Sequence, residues 1–273
     1  MNAAAVTSHY STGGLLDRML GGLRAAGNDT DALTVENLAP AEHFHTGGAA
    51  STASFIAQLD AGPETHVLDI GCGVGGVSRA IAHTSGARVT GIDLTPDFVE
   101  TATALSRLVG LEAKTEFHIG SATDLPMSDR FFDMCVMVHV GMNIEDKAAI
   151  FAEAFRVLRP GGQMGVFDVM AGHEPGAFDF PVPWASSEDT SFVVAPAKYR
   201  DAAADAGFAV TRIRNLRDAF LARLGAEEEV PDPGPFGTHL MMGATYRDKV
   251  RNYNAAVRAG RIAPVEMFFT RPI

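Results

Sequence analysis

Two hydrophobic periodicities divide the chain, and the change falls near residue 65. Before it, Leu15, Leu16, Met19, Leu20 and Leu23 recur at helical spacing, and a second helix is predicted from about Ala49 to Leu59. Between these helices lies the loop Glu42-His43-Phe44-His45-Thr46-Gly47-Gly48. From His66 onward, short β-rich runs alternate with helical stretches: HVLDI, VSRAIAHTSG, RVTGIDL, DFVETATALSRLVG and TEFHIG, then FDMCVMVHV, IEDKAAIFAEAFRVL and QMGVFDVM. Such alternation predicts a parallel sheet with crossover helices. Arg159 and the following Pro160-Gly161-Gly162 supply the stop signal of the last of those helices.

Past residue 171 a Pro-rich loop runs from Glu174 to Trp184. A helix near Pro196 to Ala206 and a strand near Phe208 to Ile213 resume the alternation. Helical patterns at Leu216 to Leu224 and His239 to Arg258 precede a last strand near Val265 to Thr270. The expected organisation is an N-terminal helical cap over 1–62 and an α/β domain over 63–273, with a helical lid inserted at about 215–262.

Composition narrows the function. Lys plus Arg total 22 against 33 acidic residues, a net charge of −11, which argues against a nucleic-acid partner and for a small molecule. The two cysteines, Cys72 and Cys135, have no paired spacing, so no disulfide framework is indicated. The start MNAAAVTSHYSTGG lacks a basic region followed by an apolar one, and no apolar run reaches the ~18 residues of a membrane span. A cytoplasmic protein without membrane partners is the expectation, and homodimer formation stays open.

The strongest local signal is Val67-Leu68-Asp69-Ile70-Gly71-Cys72-Gly73-Val74-Gly75-Gly76, a strand, a glycine-rich turn and a helix start. Glycines there let the backbone bend sharply beside a ligand. Gly71, Gly73 and Gly76 also satisfy G-x-G-x-x-G, so a dinucleotide-dependent oxidoreductase is one reading. Asp69 before the turn opposes a pyrophosphate by charge and suits an ammonium group instead. Asp93, ending the second strand, offers two oxygens to a ribose under either reading. Ser121-Ala122 after the third strand and Val138-His139 after the fourth converge on the same sheet edge, where open α/β sheets bind ligands.

In this order VLDIGCGVGG, TGIDL, GSATDLPM, FDMCVMVHVGMN and LRPGG resemble the class I S-adenosylmethionine-dependent methyltransferases, over roughly residues 40 to 170. The tail PVEMFF resembles their closing strand, and the loop EHFHTGG is similar to that of a small-molecule subgroup. The resemblance implies a Rossmann-like, doubly wound, mostly parallel seven-stranded sheet and methyl transfer from S-adenosylmethionine to O, N or C of a small metabolite. It further implies that Asp69, Gly71, Cys72 and Gly73 surround the methionine portion of the cofactor and that Asp93, beside Leu94, holds the ribose. Ser121 and Ala122 would meet adenine, Val138 and His139 would border the sulfonium, and His45 would reach the cofactor from the cap loop. Many relatives carry Asp where Ser121 stands. An adenosyl-binding protein of the same fold with a non-methylating reaction is the alternative.

Methyl transfer from a sulfonium is an in-line displacement, and a base is needed only where the acceptor must lose a proton. His139 is the candidate base; cofactor packing and a structural role are the other readings. His43 and His45 have an H-x-H spacing but no third ligand, so no metal is expected. Asp168 either faces the acceptor or caps a turn. Phe178, Phe180 and Trp184 would wall an acceptor or pack a lid, and Met241 and Met242 read as core. Lys147 and Arg159 read as helix-surface charges, and Glu227 to Glu229 as a solvated helix end.

Overall fold

The computed structural model of the chain describes residues 14–224, 230 and 232–273; the N-terminal segment before Gly14 and the acidic run Glu227–Glu229 lie outside the described residues. Three helices come first: α1 (Leu15–Ala25), α2 (Val35–Glu42) and α3 (Gly48–Ile56). The periodicity predicts α1 and α3 but not α2. That helix is set by its start, where the Thr34 hydroxyl accepts from the Asn37 N–H and the Asn37 side chain accepts from the Thr34 N–H.

The alternation then unfolds as β1 (His66–Ile70), α4 (Gly76–Ser85), β2 (Arg88–Asp93), α5 (Pro96–Leu108), β3 (Thr115–Ile119), β4 (Phe132–Val138), α6 (Lys147–Val157) and β5 (Leu158–Ala171). After β5 follow α7 (Pro196–Asp205), β6 (Ala209–Asn215), α8 (Arg217–Leu224), α9 (His239–Met242), α10 (Tyr246–Arg258) and β7 (Ile262–Thr270). The strands form one seven-stranded sheet in the order β3-β2-β1-β4-β5-β7-β6, with β7 antiparallel to both neighbours.

Alternate residues along each central strand face opposite layers. Leu68, Ile70, Cys135 and Met137 join one apolar cluster, while Val67, Met134 and Val136 join the other. Because both faces are covered, these strands read as continuous apolar runs. A third cluster packs α1 and α2 against α5, with Met19, Leu23, Leu38 and Leu105 buried in it.

Three expectations are refined or corrected. Helix α6 does stop just before Arg159, at Val157, but β5 begins at Leu158, so Arg159–Gly162 lie within the strand, where the Gly161 N–H donates to the Arg271 carbonyl and the Arg271 N–H to that of Gly162. The pattern from His239 to Arg258 is two helices, because Gly243 adopts φ 73° between α9 and α10. Lys147 is a buried residue and its Nζ donates to the carbonyls of Ile144 and Phe192, whereas Arg159 is exposed and pairs with Asp133. Among the described residues no helix is long and apolar enough to cross a membrane.

Candidate active site

Parallel pairing of β1 with β2 and β4, and of β4 with β5, brings Asp69, Asp93 and His139 to the carboxyl edge of the sheet. A cavity of about 310 Å³ opens there, within the size range of small-molecule sites. Its lining includes Asp69, Gly71, Cys72 and Gly73 from the bend, and Asp93 and Leu94 from the end of β2. Ala122, Val138, His139 and His45 complete the sequence-predicted set at the cavity. Ser121 is not among the lining residues: its hydroxyl bonds the hydroxyl and the N–H of Thr123, closing the turn after β3.

The bend is dictated sterically. Gly71 has φ 74°, and a Cβ there would lie 2.3 Å from Val140 Cγ2. The N–H groups of Gly71 and Cys72 donate to the Ile92 carbonyl, Gly73 to Asp93 Oδ2 at 3.0 Å, and Gly75 to the Cys72 carbonyl. The bend therefore offers none of these four amides to a pyrophosphate, which removes the main attraction of the dinucleotide reading.

Two carboxylates flank it. Asp69, buried, accepts a hydrogen bond from Ser78 Oγ at 2.6 Å, and burial raises its pKa to about 7 against that hydrogen bond. Asp93 accepts from the N–H groups of Gly73 and Thr95, and burial again raises its pKa. Cys72 is buried and its thiol is pushed up by burial and by both aspartates, which excludes it as a nucleophile at neutral pH.

A third carboxylate was not legible as a site residue. Glu42, at the end of α2, reaches the cavity, and its Oε2 pairs with Arg79 Nη2 at 2.6 Å and Nε at 3.1 Å. Arg79 also donates to the carbonyls of Val74 and Ala102 and to Ser106 Oγ. Glu42 Oε1 is buried without a hydrogen-bond partner. No local motif marks this pair, because its members lie 37 positions apart.

His139 sits in left-handed backbone, φ 56°, a strained conformation for a residue with a Cβ. Its N–H is held by the Phe167 carbonyl at 2.7 Å and its ring packs edge-on against Phe167. Nε2 is buried and without a partner, and burial together with neighbouring His45 keeps the pKa well below the usual histidine value. The His45 ring lies 5.6 Å from it, with the pKa pushed down to about 3, chiefly by burial. Thr52 Oγ1 joins His45 Nε2 at 2.8 Å to His43 Nδ1 at 3.0 Å, which makes these two histidines one buried hydrogen-bonded unit with a hydroxyl between them.

Asp168 does not face the cavity. It is fully buried, bonded to Tyr199 OH at 2.8 Å and to the Val169 N–H, with a pKa raised to about 6 by burial. A Cβ on Gly141 would lie 2.4 Å from its Oδ2, so this pair fixes the floor beneath residues 141–143. Trp184, Met241 and Met242 do reach the cavity, while Phe178 packs at a tilt against Trp184 and Phe180 against Phe178.

This sheet order, with an antiparallel seventh strand, is the fold of the class I methyltransferases. Residues 68–166 match the family model described as a methyltransferase domain. Phosphoethanolamine N-methyltransferase 1 of Zea mays is 33% identical over 139 residues, covering 51% of this chain and 27% of that protein. The chain thus matches about a quarter of the length of that relative. Geranyl diphosphate C-methyltransferase of Streptomyces coelicolor A3(2), solved with S-adenosyl-L-homocysteine, superposes with a TM-score of 0.63 at 18% identity, over 82% of this chain and 78% of that one. The [4+2]-cyclase SpnF superposes with a TM-score of 0.64 at 20% identity over 95% and 93%.

Proposed function

We propose that the protein transfers a methyl group from S-adenosylmethionine to a small-molecule acceptor. The observation that carries this reading is the bend from Asp69 to Gly73 closed on Asp93, with its amides satisfied internally and acidic side chains at both ends. Such a site suits a ligand with a cationic amino-acid end and a ribose. Two buried polar atoms of lining residues lack a hydrogen-bond partner, Glu42 Oε1, which has His43 Nε2 at 3.8 Å, and His139 Nε2, and both fit a ligand that supplies one.

In this reading Asp93 accepts from the ribose hydroxyls with the lone pairs left by Gly73 and Thr95, and Leu94 lies beside it. Asp69 and Glu42 face the ammonium, whose charge draws the raised pKa of Asp69 back toward the ionised form. Cys72, Ala122, Val138 and His45 supply the close walls. When bound, S-adenosylmethionine supplies a methyl group already activated by the sulfonium charge. The chain's task is then to orient the acceptor and, where it must lose a proton, to receive that proton on the free Nε2 of neutral His139. The described residues of the cap, 14–62, and of the lid, 215–224, 230 and 232–262, shield this exchange from water.

Calorimetric titration with S-adenosylhomocysteine and transfer of an isotopically labelled methyl group to a metabolite extract test the reading. Saturable binding and a labelled product of low mass are the expected results. Absence of binding overturns the proposal, and binding with no labelled product moves it to the non-methylating alternative.

A further inference from the structure

The acceptor can be narrowed from the charges around the cavity, on the reading that methyl transfer takes place there. Elements after β5 contribute Trp184, Phe220, Met241, Met242, Val250 and Tyr253 to its lining: three rings, two thioethers and a branched aliphatic. Among the described lining residues none is Lys or Arg, whereas Glu42, Asp69 and Asp93 are carboxylic acids.

Three buried cations nearby are committed elsewhere, while the exposed Arg223 places its Nη2 against Gly47 without joining the lining. Arg79 is bound to Glu42 and to backbone carbonyls, Lys147 Nζ donates to the carbonyls of Ile144 and Phe192, and Lys249 Nζ to that of Met242. His45 and His139, the remaining groups that could carry positive charge on the lining, are held neutral by burial. The N–H groups of Gly71, Cys72, Gly73 and Gly75 are bonded within the protein, so the bend provides no alternative anion cradle. A phosphate brought into the acceptor side of this cavity would lose its water and find neither guanidinium nor ammonium of the protein to replace it. Neutral polar groups are present instead, in Asn143, Thr238 and Asn254, which suit hydrogen bonds that orient a ligand.

We infer that the acceptor is a predominantly apolar molecule with no phosphate group. Phosphoethanolamine and geranyl diphosphate, the acceptors in the names of two proteins it resembles, are phosphorylated and fall outside this class.

Trp184 is the chain's single tryptophan and lies on the cavity, so its emission reports occupancy. The full chain is titrated with geraniol and with geranyl diphosphate, each with and without saturating S-adenosylhomocysteine. Geraniol is expected to change Trp184 emission saturably and to bind at least about tenfold more tightly than the diphosphate, a difference of about 1.4 kcal/mol. Val250→Lys, which places an ammonium on the half-buried wall position, is expected to shrink that ratio at least threefold. Equal or tighter binding of the diphosphate, binding of neither probe, or a ratio unchanged in Val250→Lys would overturn the inference. Geraniol binding in a protein that ignores S-adenosylhomocysteine would instead sink the methyltransferase reading, and the inference would hold only for the cavity's ligand and no longer for a methyl acceptor.

Discussion

The hydroxyls of Thr46 and Tyr253 lie 2.5 Å apart, and this bond joins the loop before α3 to α10 across 207 positions of the chain. Both residues are buried and both line the cavity. Only one hydroxyl can donate, and removing either leaves the other without its partner in a site with little water. Tyr253→Phe and Thr46→Val should therefore each lower stability by about 1 kcal/mol, and the double variant should cost less than the sum. Urea denaturation of the four proteins reads the coupling; strict additivity would show that the two elements are not joined through this contact.

Asp93 is held from two sides, by the Gly73 and Thr95 N–H groups, so its oxygens are fixed before any ligand arrives. Under the proposed function, Asp93→Ala should weaken S-adenosylhomocysteine binding by roughly 1 to 3 kcal/mol, the range for a lost charge-assisted hydrogen bond. The affinity is measured by calorimetry on proteins whose circular dichroism spectra match. An unchanged dissociation constant would remove Asp93 from the cofactor site.

His45 should make the protein acid-sensitive. Burial pushes its folded-state pKa down to about 3, below the ordinary value of 6.5 that the unfolded chain approaches. Below pH 6.5 the unfolded state therefore binds this proton first, and the stability contributed by the neutral ring, fully present above 6.5, falls as pH drops toward 3. Relative to His45→Asn, the wild type should lose about 1 kcal/mol more for each pH unit between 6.5 and 4.5, up to the limit of 1.36 set by one proton. Parallel pH profiles of the two unfolding free energies would contradict this. The raised carboxyls of Asp69 and Asp168 act in the opposite sense over an overlapping range, which is why the comparison is between variants.

What was legible in the sequence is what local chemistry determines. The central strands announce themselves because a sheet covered on both faces demands unbroken apolar runs, and the bend announces itself because only glycine accepts the backbone at Gly71. The Glu42–Arg79 pair was not legible, since its partners meet only through the packing of α2 on α4. Lys147 reads as a surface charge because its long stem and its position at a helix start are the same whether its ammonium meets water or two carbonyls. Helix α2 escaped because Pro40 within it breaks the pattern, although the capping pair Thr34 and Asn37 marks its start. Met241 and Met242 illustrate a further limit: the apolar residue that fills a core and the one that lines a cavity have the same sequence signal.

His139 combines backbone strain with an unpartnered imidazole nitrogen, a pairing that a purely structural residue has no reason to keep. Asn tolerates the left-handed conformation better than most residues, so His139→Asn should fold with S-adenosylhomocysteine affinity within a few-fold of the wild type. It cannot accept a proton at neutral pH. For an acceptor that loses a proton in the rate-determining step, single-turnover methyl transfer should fall by about 10²- to 10⁴-fold, the usual contribution of a positioned base. In the wild type the rate should decline with acid only below pH 6.5, because burial favours the neutral ring and lowers the pKa of the base. The variant should lose that acid limb while keeping its residual rate. A variant that retains the wild-type rate and acid limb would assign the proton to solvent or to the acceptor itself, and reduce His139 to a wall of the cofactor site.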